Sequence, residues 1–295
     1  MEKSLFLGCT IPGRIPFVEK SAKVVCDDLG IETEVLGGFA CCPDPVGMNA
    51  LDRKTWLALA GRNLCVAEDA GKPVMTLCTG CAFTLKTAND DLKHSHHDTE
   101  KVNHVLAGLG KEYKGSLESI KHIGQVLYEE IGVDKIKDAI KNPLNGLKVA
   151  LHLGCHFLRP SPIVKFDDPF KPTKIDEIVR ATGAEPVDYT EKVLCCGHGV
   201  SNESIDIAAT MNLKKFKSAR AAGAQAFVVL CPSCYLRLEN ANRDVKKKFG
   251  EDFNFPILYI TDLLALAMGH GADEIGLKDH RPSPAKVFES LGLQV

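Results

Sequence analysis

The chain has 295 residues, 45% of them apolar and 25% charged, with a formal net charge of −2. That length accommodates two ordinary domains, each with enough apolar content for its own core. The near-neutral balance excludes a global electrostatic basis for binding nucleic acid or anionic membranes. No run reaches the roughly 18 apolar residues that span a bilayer, and the opening residues lack the apolar stretch of a secretory signal. A cytoplasmic protein without membrane insertion is expected. Twelve cysteines then need a cause. Disulfide frameworks belong to small secreted scaffolds, so metal or redox chemistry is the default.

In chain order, a short apolar strand, Leu5–Leu7, ends at Gly8-Cys9. A helix over 16–29 follows, then the adjacent pair Cys41-Cys42 and a helix over 51–70. The strand Val74–Leu77 runs into Cys78-x-x-Cys81, which opens a helix covering 82–92. A polar insertion near 90–115 contains His94, His96, His97 and His104, read as surface loop, and the tail is Ile120–Leu127. Asn-Pro and Asn-Gly breakers within 141–146 mark a boundary.

The same order then begins again. The strand Val149–Leu153 leads to Gly154-Cys155, and the pair Cys195-Cys196 precedes a helix over 202–222. The strand Phe227–Leu230 closes on Cys231-x-x-Cys234, followed by a helix over 235–245 and a tail, 258–265, matched to Ile120–Leu127 with Leu258 opposite Ile120. Such duplication predicts two tandem domains, 1–145 and 146–295. Fully apolar strands alternating with helices predict an α/β fold, each domain a parallel sheet covered by helices. Ligands in such sheets sit at the carboxyl ends of the strands, where the single cysteines and C-x-x-C motifs fall. The C-terminal stretch 271–295 carries no motif and suits a docking arm.

Each half therefore presents five thiols, as C-x31-CC-x35-C-x2-C and C-x39-CC-x34-C-x2-C. Zinc takes four ligands in a closed tetrahedral site. A thioredoxin-like dithiol explains C-x-x-C alone. Thiolate-only sites suit iron–sulfur clusters, although five thiols exceed what a four-iron cubane needs: either one is spare, or a thiolate bridges a cluster that is not a cubane. Cys26 and Cys65 fall on expected helices outside both sets and read as small apolar core residues. Gly108-x-Gly110 is an isolated, polar-flanked pair, so no flavin or dinucleotide site is expected in this chain.

The duplicated quintets, with Cys195-Cys196-Gly197 as a literal CCG and Cys41-Cys42-Pro43 as its variant, resemble the cysteine-rich CCG-domain family, and within it the B subunits of heterodisulfide reductases from methanogenic archaea. The resemblance covers nearly the whole chain. It implies two noncubane [4Fe-4S] clusters, one held by Cys9, Cys41, Cys42, Cys78 and Cys81, the other by Cys155, Cys195, Cys196, Cys231 and Cys234. It implies a substrate cleft between them, where the mixed disulfide of coenzyme M and coenzyme B is reduced to two thiols in methanogenesis. Electrons would arrive through the reductase's iron–sulfur C subunit, and before it a flavin-bearing A subunit with an associated hydrogenase or formate dehydrogenase. Two clusters flanking the S–S bond would each supply one electron. His156 and His198, beside the cysteine motifs, are candidate proton donors. Arg159, Lys214 and Lys215 are candidate contacts for the anionic groups of the substrate, with Lys217 beside them. The competing function is a non-catalytic electron-transfer subunit of a 2-hydroxy-acid oxidase complex, as in glycolate oxidase or lactate utilisation.

Overall fold

A computed structural model describes residues 1–293. It contains two four-stranded, wholly parallel sheets, ordered β2-β1-β3-β4 and β6-β5-β7-β8. The strands of the first are β1 (Glu2–Phe6), β2 (Glu32–Glu34), β3 (Val74–Thr76) and β4 (Ile120–His122). Those of the second are β5 (Lys148–His152), β6 (Glu185–Pro186), β7 (Ala226–Val229) and β8 (Ile257–Tyr259). The central strands are buried on both faces, all four residues of β7 and all but the first of β1 and β5. This is why they read as continuous apolar runs instead of alternating ones.

In each sheet the chain first steps from the central strand to one edge, then crosses to the other side. The direction reverses between β1 and β3, and again between β5 and β7. The crevice at the carboxyl ends of those pairs is where such folds bind ligands. Ser4 pairs with Val74 and Phe6 with Thr76; Ala150 pairs with Phe227 and His152 with Val229. Cys9 and Cys78 therefore leave adjacent strands side by side, as do Cys155 and Cys231.

The halves share one hydrophobic core. The Phe17–Leu29 helix of the first half packs on the Ile260–Ala267 helix of the second, with Ser21 Oγ 2.7 Å from Thr261 Oγ1. The converse contact joins the residues after β4 to the Lys174–Ala181 helix, where the Tyr128 hydroxyl donates to Glu177 Oε2 at 2.9 Å. Trp56, Phe6, Phe216 and Phe227 are completely buried, each worth about 1.5–3 kcal/mol of apolar transfer.

Three expectations change. Residues 96–107 form a helix, not a loop, because Ser95 caps it by accepting from the Asp98 N–H and Val102 and Leu106 bury one face; His94, His96, His97 and His104 are exposed on helices. The tails match with Ile257, not Leu258, opposite Ile120. His122 and Tyr259 each stand at the start of the following helix, where their N–H groups donate to Gln125 Oε1 and Asp262 Oδ2, and that fixes the register. The C-terminal segment is no free arm: Ile275, Leu277 and Phe288 are buried, and His280 Nδ1 lies 2.9 Å from the Ile257 carbonyl. Gln294 and Val295 lie outside the described residues.

Candidate metal centre

Cys78 and Cys231 are the caps of the Thr79–His94 and Pro232–Phe249 helices. The Cys78 sulfur accepts from the Cys81 N–H at 3.5 Å, and Pro232 occupies the first turn, where its missing N–H costs nothing. Both motifs thus sit at the positive end of a helix, which favours thiolates. The lone cysteines follow glycines with positive φ, +68° at Gly8 and +84° at Gly154. A Cβ on Gly8 would stand 2.9 Å from the Cys81 sulfur, so only glycine lets this turn close on the thiols. In the second of the paired loops Gly197 takes φ +82°, a conformation open to glycine.

The thiols form one contiguous group per half. Cys41 Sγ is 3.8 Å from Cys9 Sγ, far beyond the roughly 2.05 Å of a disulfide, and all twelve cysteines are free. Cys41 abuts Cys42, Cys42 abuts Cys81, and Cys81 abuts Cys78. In the second half the path runs Cys155, Cys195, Cys196, Cys234, Cys231. The two groups meet: the Cys78 and Cys231 thiols act on one another, and a Cβ on Gly154 would stand 3.2 Å from the hydroxyl of Thr79, next to Cys78, and 3.7 Å from Cys231 Cβ.

Crowding makes neighbours share protons. Donation from Cys41 holds Cys42 well below the usual thiol range, and donation from Cys234 does the same for Cys231. Cys195, served by Cys155, is lowered likewise. The donors Cys41 and Cys155 are raised correspondingly. Several thiolates are thus available in a buried, sulfur-rich site, and a soft metal centre would displace the remaining protons. The donor set fits an iron–sulfur group. Cys26 and Cys65 lie apart, 1% exposed, with burial pushing their thiols up to about 12 and about 11.

The other candidates separate. His156 is half-buried and stacked on Phe83 of the first half, ring centres 4.6 Å apart at 10°. Burial lowers its pKa, against the pull of Cys231 and Cys195 from one set and Cys42 from the other, so it lies within the field of both. His198 is exposed at the start of a short helix. Arg159 donates to the Val193 carbonyl at 2.8 Å, bracing the loop before Cys195. Lys214 is exposed, and Lys217 reaches Glu251 at 2.6 Å. Lys215 departs from expectation: it is completely buried, donates to the Glu191 carbonyl, and lies 5.5 Å from the Tyr189 ring centre. Burial lowers its pKa to about 8. Sealed inside, it cannot meet a substrate anion.

Sequence reasoning missed His152. This imidazole is 1% exposed, and one ring nitrogen lies within 4.8 Å of the sulfurs of both Cys196 and Cys234. Its signal was a titratable residue interrupting the apolar run of β5.

A family model described as a cysteine-rich CCG domain matches residues 4–86 and 149–239. The chain is 40% identical over 298 residues to the B subunit of the ferredoxin/F(420)H(2)-dependent CoB-CoM heterodisulfide reductase of Methanosarcina acetivorans, covering 99% of each. It is 30% identical over 276 residues to the 8-methylmenaquinol:fumarate reductase membrane anchor subunit of Wolinella succinogenes, covering 94% of this chain and 95% of that one. Among solved structures, a hypothetical protein from Helicobacter pylori shares the fold, with a TM-score of 0.74 at 15% identity over 95% of this chain and 51% of that chain.

Proposed function

Because this chain belongs to the cysteine-rich CCG family, among the B subunits of heterodisulfide reductases, we propose that this oxidoreductase subunit is catalytic and reduces the coenzyme M–coenzyme B mixed disulfide to two thiols. The observation that carries the reading is the meeting of the two sulfur sets where Cys78 and Thr79 of the first half approach Gly154 and Cys231 of the second. One S–S bond lying at that junction meets both sulfur sets. Cys9, Cys41, Cys42, Cys78 and Cys81 would hold one noncubane four-iron cluster, and Cys155, Cys195, Cys196, Cys231 and Cys234 a second, in units divided near residue 146. When bound, such clusters pass electrons singly.

The reaction takes up two electrons and two protons, breaks the S–S bond and releases two thiols. His156, held flat on Phe83 within the field of both sets, would deliver a proton to a leaving sulfur; His198 is the second candidate, from the solvent side. Arg159 and Lys214 are the cations left to meet anionic groups of the substrate. Buried Leu77, Leu153 and Leu230 beside the thiols keep water from the junction. The electrons would come through the iron–sulfur C subunit, supplied by the flavin-bearing A subunit, itself fed by a hydrogenase or formate dehydrogenase. Among the described residues no helix is long and apolar enough to cross a membrane, consistent with a cytoplasmic complex.

The test is anaerobic assay of the assembled complex with reduced viologen and the mixed disulfide. Turnover is expected, and it is abolished by Cys78→Ala or Cys231→Ala. A fully iron-loaded complex without turnover would overturn the catalytic role and leave electron transfer between partner proteins.

A further inference from the structure

The halves are built alike, yet their interiors differ at two positions beside the sulfurs. β1 and β5 align through Gly8-Cys9 and Gly154-Cys155, which places His152 where the first half has Phe6; both are buried. On the Arg53–Ala70 and Ile205–Ala221 helices, Asn63 and Asn212 do the same job, each donating to a carbonyl of its cysteine pair, and Lys215 follows Asn212 about one turn on. Asn63 is neutral and donates to the Cys41 carbonyl at 3.0 Å. The second half keeps that bond through Asn212 and adds Lys215, a completely buried amine within the field of Cys196 and Cys234.

His152 has both ring nitrogens buried without a hydrogen-bond partner. An imidazole carries at least one N–H in either protonation state, and a buried donor of this kind is rarely left unpaired in a native fold. The sulfurs of Cys196 and Cys234 lie within 4.8 Å of one of its nitrogens. Hydrogen bonds to cluster sulfurs and nearby positive charge both favour the reduced, more negative state, and more so where the surroundings are dry. Phe6 offers neither.

We propose that His152 is a positioning residue that donates its N–H to sulfur in the second set and, with Lys215, makes the second site the more readily reduced of the two. The inference rests on the sulfur sets being iron–sulfur centres. It gives the two halves unequal roles: the second draws electrons ahead of the first.

The test is anaerobic redox titration of the assembled complex, followed by electron paramagnetic resonance, with Cys195→Ala marking which signal belongs to the second set. His152→Phe, which installs the first-half residue, and Lys215→Met, which removes the buried amine, are each expected to make that site about tenfold harder to reduce, about 59 mV for a one-electron couple. The first-set signal stays in place, and His152→Asn, which keeps an N–H donor, recovers most of the shift. The mirror variant Phe6→His is expected to move the first set upward. A second-set midpoint unmoved by His152→Phe, or equal movement of both signals, overturns the proposal. If His152→Phe does not fold, Phe6→His decides, and an unmoved first-set midpoint overturns it. Iron and sulfide are measured throughout. A wild-type chain lacking them removes the underlying cluster reading, whereas iron lost only from the second set of His152→Phe makes His152 a ligand and overturns the donor role.

Discussion

His122 and Tyr259 perform the same task from opposite halves. His122 Nδ1 accepts from the Gly124 N–H at 3.0 Å, which leaves Nε2 to donate to the Leu230 carbonyl at 2.9 Å, one residue before Cys231. The Tyr259 hydroxyl donates to the Leu77 carbonyl, one residue before Cys78. Each half therefore fixes the approach to the other half's C-x-x-C.

Burial lowers the His122 pKa to about 4, so the fold holds it neutral. A histidine depressed in the folded state contributes stability that is fully present above its unfolded pKa, near 6.5, and lost as pH falls toward the folded value. Up to about 3 kcal/mol is expected to disappear between pH 6.5 and 4. Denaturant unfolding of wild type and His122→Asn at pH 7.5 and 5 checks this. The variant is less stable at the higher pH by about 1–3 kcal/mol, for unpaired buried groups, and the gap narrows on acidification. A constant gap would contradict it.

Gly8→Ala and Gly30→Ala separate backbone strain from crowding. Both glycines have positive φ, +68° and +72°, but a Cβ on Gly30 meets nothing within 4 Å, whereas one on Gly8 meets the Cys81 sulfur. Each is expected to lose about 1–2 kcal/mol from the left-handed conformation. Gly8→Ala alone is expected to lose the first set's iron as well, measured as iron per chain.

Cys195→Ala or Cys196→Ala is expected to remove about half of the iron and one of the two spectroscopic signals, since these thiols belong to only one quintet. Cys26→Ala and Cys65→Ala are expected to retain both signals. Retention of full iron by the first pair would refute the assigned sets.

His156→Ala is expected to keep its iron yet lower turnover by about 100-fold or more, the usual scale for a positioned proton donor. Its lowered pKa sets the sign of the pH dependence. Wild-type rate falls as pH rises through a value below 6.5, and that limb is missing in the variant. Iron analysis and a pH–rate profile read both.

Much of the architecture was legible without coordinates. Duplicated thiol spacing, unbroken apolar runs and glycines ahead of Cys9 and Cys155 are local features, and local chemistry suffices to foretell buried parallel strands with cysteines at their carboxyl ends. The tails slipped by one residue because apolar matching is blind to capping, here by the Asp262 carboxylate that accepts from the Tyr259 N–H. The helix at 96–107 was hidden by its polarity, since only Val102 and Leu106 are buried.

The sequence by itself determined that ten thiols form two matched quintets at the ends of strands. Only the tertiary structure decided that Cys78 meets Cys231, that Lys215 turns inward while Lys214 faces solvent, and that His152 lies against Cys196 and Cys234. Spacing along a chain records local geometry. Burial and contact between halves depend on how two separately specified sheets pack, and a side chain's charge or donor capacity takes its meaning from that packing.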